Sequence, residues 1–140
     1  MDPNDLVAIE EIRQLKARYF RLMDTKRWDE WAEVFTTDAR MEIPESGTVL
    51  EGRDEIVARV ASIIGPAVTV HHGHTPEIEV LGADAARGTW AMADLVTWTS
   101  AAGEPRGFQG YGHYHETYRR EDGRWRIAST RLERLRKDRT

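Results

Sequence analysis

At 140 residues, with 40% hydrophobic and 31% charged side chains, the chain has the size and balance of one folded domain, spanning 1–140, and is not a disordered polymer. The absence of cysteine excludes disulfides and thiolate metal centres, and a net charge of −4 argues against nucleic acid as a partner. No apolar run approaches the roughly 18 residues of a membrane span, and the N-terminus lacks a signal-peptide pattern, so no membrane partner and a cytoplasmic location are expected. Five tryptophans in so short a chain must be placed in a core, a pocket or an interface.

Asp2-Pro3 reads as a helix start, and Ile9, Ile12, Leu15, Tyr19 and Leu22 recur at helical spacing, predicting a helix over about 3–23. Tyr19 lies on that apolar stripe, so its phenol points inward and needs a partner. Asp24-Thr25-Lys26 interrupts the pattern, and Trp28, Trp31, Ala32 and Phe35 predict a second helix to about Thr36. A short hairpin is expected over 39–43 and 47–50, followed by a third helix that opens at Gly52 and closes at Gly65-Pro66. Beyond Pro66 the period becomes two, with strands expected at about 67–80, 86–100, 106–120 and 124–136. Asp122-Gly123 is the strongest hairpin signal. Helices first and long strands after them predict an α+β domain with the helices gathered on one face of a mostly antiparallel sheet.

Chemistry concentrates on the strands. Trp90, Met92, Val96 and Trp98 alternate on one face with Asp94 among them, a costly place for a carboxylate without a hydrogen-bonding partner. The segment His71-His72-Gly73-His74-Thr75-Pro76-Glu77 holds three imidazoles. Only His72 and His74 share a face of a regular strand, and zinc would need a third protein ligand, so no metal site is read here. A general-base histidine fits better. Regular alternation would group Val68, Val70, His72, His74, Ile78 and Val80. Gly73 and Pro76 are bulge markers that suspend parity, and spacing does not choose between His71 and His72. Asp24 reads either as a turn residue or as a site carboxylate. Arg134 reads either as a solvated charge, like the rest of the basic run to Arg139, or as a pocket cation. His113 and His115 fall either in the pocket or on the outer sheet face.

Several segments together resemble one family: Arg18-Tyr19-Phe20-Arg21-Leu22-Met23-Asp24, Trp28-Asp29-Glu30, His71-x-Gly73-His74-Thr75-Pro76-Glu77-Ile78, Gly88-x-Trp90 with Asp94, and Asp122-Gly123-x-Trp125. They look like the SnoaL-like (nuclear transport factor 2-like) superfamily, and within it the branch of the bile-acid 7α-dehydratase and scytalone dehydratase. The resemblance spans nearly the whole chain. It implies a cone-shaped α+β barrel, a catalytic set at Tyr19, Asp24, His71 and Asp94, and a pocket arginine at Arg134. It favours His71 over His72, and leaves open which aspartate pairs with it. Trp90, Trp98 and His113 are the further candidates for substrate contact.

The reaction so implied is elimination of water from a small hydrophobic cyclic substrate, with histidine as base and tyrosine assisting, and with no metal or redox cofactor. Isomerisation or polyketide-type cyclisation through an enolate would use the same groups, and the fold also serves as a non-catalytic binding module. Val68, Tyr111 and Leu132 are expected on an outer sheet face that a homo-oligomer would cover, and the resemblance implies a trimer before a dimer.

Overall fold

The structure is a computed structural model that describes residues 1–140. Helix α1 (Pro3–Asp24) starts where expected: Asp2 Oδ1 accepts the Asn4 N–H at 2.7 Å and Pro3 occupies the first turn. It buries Ile12, Leu15, Tyr19, Phe20 and Met23, and also Lys16, on one stripe. Helix α2 (Trp28–Ala32) is shorter than expected, and strand β1 (Phe35–Ile43) begins where the helix was predicted to continue. The cause is tertiary: the Val34 carbonyl accepts the Ile127 N–H at 2.8 Å, and Phe35 pairs with Ile127, drawing this segment into the sheet.

A 3-10 turn (Pro44–Ser46) leads to β2 (Thr48–Glu51), and α3 (Arg53–Ile64) follows. The long strands are β3 (Val68–Val80), β4 (Ala85–Thr99), β5 (Pro105–Glu121) and β6 (Arg124–Arg139). Asp122 and Gly123 both take positive φ, as the tight turn between β5 and β6 requires. The six strands form one mixed sheet in the order β2-β1-β6-β5-β4-β3, antiparallel except for β1 beside β6. The sheet is open: β2 and β3 are its edges, so the barrel named in the expectation is not closed.

The helices cover one face of the sheet, where Trp90, Met92, Tyr114, Tyr118, Trp125 and Ile127 join the α1 stripe in a single core. A one-residue bulge lies between His74 and Glu77, at Thr75 with φ 40°. It reverses the parity of β3. Thr69 and His71 therefore face the helices before it, and Ile78 and Val80 after it. The grouping by regular alternation is thus corrected: Val68, Val70, His72 and His74 lie on the outer face. Leu132 is likewise not an outer residue, because it pairs with Tyr114 and packs on the core. No helix is long and apolar enough to cross a membrane.

Candidate active site

The last residue of α1 meets edge strand β3. Asp24 receives three hydrogen bonds from that strand: the Thr69 hydroxyl at 2.9 Å, the His71 backbone N–H at 2.8 Å, and His71 Nδ1 at 2.6 Å. Lys26, held at positive φ just past the helix, donates at 3.0 Å to both Thr69 Oγ1 and the Ile64 carbonyl. An ionised carboxylate only accepts, so in the neutral imidazole the proton sits on Nδ1 and the lone pair on Nε2. The Phe20 ring stacks on the imidazole, 14° from parallel.

His71 Nε2 lies 3.8 Å from Asp94 Oδ2, too far for a hydrogen bond. Asp94, buried on β4, is instead gripped by Arg134 of β6, whose Nη1 and Nη2 donate at 2.9 and 2.8 Å. This explains how a carboxylate survives between Trp90, Met92 and Val96: its charge is matched bidentately. Arg134 Nε lies 2.9 Å from Glu45 Oε2, as an ion contact without hydrogen-bond alignment. Burial works against the Arg134 charge, but the bonds to Asp94 outweigh it and the guanidinium is pushed above its ordinary value. Gly110 makes the pair possible, since a Cβ there would overlap both Arg134 Nη1 and Asp94 Oδ1.

Tyr19 is buried one turn before Asp24, its ring in edge contact with Phe20, Phe35 and Tyr114. Burial, and then the charges of Glu116, Asp24 and Asp94, push its phenol well above the ordinary tyrosine range, so it remains a proton donor at neutral pH. A groove of about 530 Å³ between α1 and β3 reaches the His71–Asp24 pair, with Phe20, Gly73 and Trp90 also lining it. A larger depression, about 700 Å³, crosses the outer sheet face and contains none of these groups.

Of the residues singled out from sequence, Asp24, His71, Asp94 and Arg134 converge, while Tyr19 is buried behind Phe20 and does not line the groove. Trp90 is buried beside them, its indole N–H donating to Tyr118 at 2.9 Å. Trp98 lies further along the same face, partly exposed and edge-on to Phe108. His113 is not in the pocket. It pairs with Ala91, on the face of β4 opposite to Asp94, and stands beside His115 on the outside of the sheet. Alternation along β4 and β5 puts it there.

A second buried polar group escaped the sequence reading. Lys16 Nζ donates to Glu116 Oε2 at 2.7 Å, and both side chains are fully buried. Thr130 and Tyr118 donate to the same carboxylate at 2.7 and 2.8 Å. The available signal was a lysine on the apolar stripe of α1 and a glutamate alternating with Tyr114 and Tyr118.

The family profile described as a SnoaL-like domain matches residues 4–131. A relative from Gibberella zeae named Probable cyclase FGR4 is 27% identical over 137 residues, covering 89% of each chain. A presumed scytalone dehydratase from Novosphingobium aromaticivorans superposes with a TM-score of 0.88 at 22% identity, over 98% of this chain and 90% of that one. Hexachlorocyclohexane dehydrochlorinase LinA-type3 from Novosphingobium barchaimii gives 0.83 at 18% identity, over 100% and 94%.

Proposed function

Since this chain belongs to the SnoaL-like family, we propose that it is an enzyme of the lyase or isomerase kind, working without a cofactor by general-base proton abstraction on a small hydrophobic cyclic substrate. One observation carries the reading: His71 is held from behind through Nδ1 by Asp24, while Nε2 has no hydrogen-bonding partner and lies beside a carboxylate already matched by arginine. That is the arrangement of an oriented base.

In the reaction, Nε2 removes a proton from a carbon next to a carbonyl. The electron pair moves into the carbonyl oxygen, where the Tyr19 hydroxyl stabilises the developing charge. Asp24 stabilises the imidazolium. As the electrons return, a hydroxyl one carbon further on leaves as water with the proton from His71. Returning that proton to a different carbon gives isomerisation instead, and attack by the enolate on a second carbonyl gives cyclisation. The likeness to a protein named as a cyclase favours keeping this second course. We take the working form to be a homo-oligomer that covers the outer apolar stripe, a trimer by the family resemblance.

The test is solvent deuterium exchange and product mass over a panel of cyclic β-hydroxyketones and enones. Wild-type protein exchanges the α-proton, and His71→Ala loses at least about 10²-fold of that rate with its circular dichroism unchanged. Loss of 18 mass units, on the order of one water, marks elimination, and unchanged mass marks isomerisation. A fully active His71→Ala protein removes the assignment.

A further inference from the structure

Behind Tyr19, α1 and β5 bury an ion pair that the reaction above does not use. The Lys16 ammonium lies 3.7 Å from the ring centroids of both Tyr19 and Tyr114, so it is clamped between two aromatic faces. Its carboxylate, Glu116, is saturated by Lys16, Thr130 and Tyr118, and Tyr118 in turn accepts from Trp90. The rings of Tyr19 and Tyr114 meet edge to face at 6.0 Å. Stability alone does not account for this design. A buried ion pair costs desolvation on both sides, and apolar side chains of the same volume usually do as well or better. The pair is polarised toward the tyrosines, because the end that touches both rings is the cation. Negative charge developing on an oxygen bound to the Tyr19 hydroxyl is relayed through the phenol toward that ammonium.

We propose that Lys16 and Tyr114 are positioning residues for Tyr19: the ammonium, anchored by Glu116, fixes both rings, and Tyr114, edge-on to Tyr19, keeps that phenol preorganised as a donor to the substrate oxygen that becomes negative. The inference rests on the reading of this pocket as a proton-transfer site.

The decisive variant is Lys16→Met combined with Glu116→Gln, which removes both charges and keeps the volume. Lys16→Met alone strands a buried carboxylate and lowers the thermal midpoint, and the combined variant restores it. A merely structural pair would restore activity as well. The positioning role predicts instead that kcat stays down about tenfold with KM little changed, a modest share of what a direct oxyanion donor contributes. Tyr114→Leu, which removes the ring that packs on Tyr19 and on the ammonium, shifts kcat in the same direction.

A second readout needs no turnover. Wild-type protein binds para-nitrophenol more tightly than phenol, because the more acidic hydroxyl mimics the charged oxygen, and the combined variant loses that preference. A wild-type kcat in the thermally restored variant overturns the inference, and so does a nitrophenol preference that is absent in the wild type or unchanged in the variant. If wild-type protein turns over nothing in the panel, the reaction falls, while the phenol comparison still decides the role of Lys16 and Tyr114.

Discussion

Two aspartates, Asp24 half-buried and Asp94 buried, do different work because their donors differ. Asp24 takes three donors from β3, so it both ties that edge strand to α1 and fixes the imidazole. Asp94 is committed to Arg134, which keeps it from capturing His71 Nε2. Arg134→Met therefore leaves a buried, unmatched carboxylate and costs about 3 kcal/mol of folding free energy, read by urea denaturation at neutral pH. Arg134→Met with Asp94→Leu recovers most of that loss. A single Arg134→Met variant as stable as wild type would show that the pair does not carry this charge. Glycine at 110 is the other requirement of the same contact: any side chain there enters the space of the guanidinium and the carboxylate.

At the scale of elements, strand existence and turn chemistry were legible from periodicity, and the site was legible mainly through motifs. His71 rather than His72 came from resemblance, since alternation through β3 is broken by the bulge at Thr75 and local spacing does not place it. Two failures share another cause. The end of α2 and the partner of Asp94 are decided by β6, a strand about ninety residues and forty residues away from them respectively. No local pattern contains that information. The same strand geometry leaves Val68, Val70, Leu95 and Tyr111 exposed together on the outer face of β3, β4 and β5. Sedimentation equilibrium is expected to give the mass of three chains, and Val70→Lys with Leu95→Lys to give one, each lysine desolvating badly in an apolar contact. A monomeric wild-type protein would remove the trimer from the account.

Across the whole molecule, three of the four tyrosines, Tyr19, Tyr114 and Tyr118, have phenols pushed up chiefly by burial, helped by the Glu116 charge. The sign follows from linkage. Their folded values lie above the unfolded value of 10.0, so the stability they contribute is fully present below pH 10.0 and is lost as pH rises beyond it. Tyrosinate absorbance during alkaline titration is expected to show these three protons leaving together with cooperative unfolding. Gradual ionisation at constant circular dichroism would contradict their burial. The contact between Lys16 and Glu116 closes a sequence separation of 100 residues, and β6 is the strand that both completes the sheet and supplies Thr130 to that carboxylate. While the chain is being synthesised, α1 therefore carries its lysine without its native counter-ion. The fold has no early, local nucleus for its most buried charge, so acquiring the native state waits on the slowest class of contact, and premature collapse of the helices would trap a bare ammonium in their core.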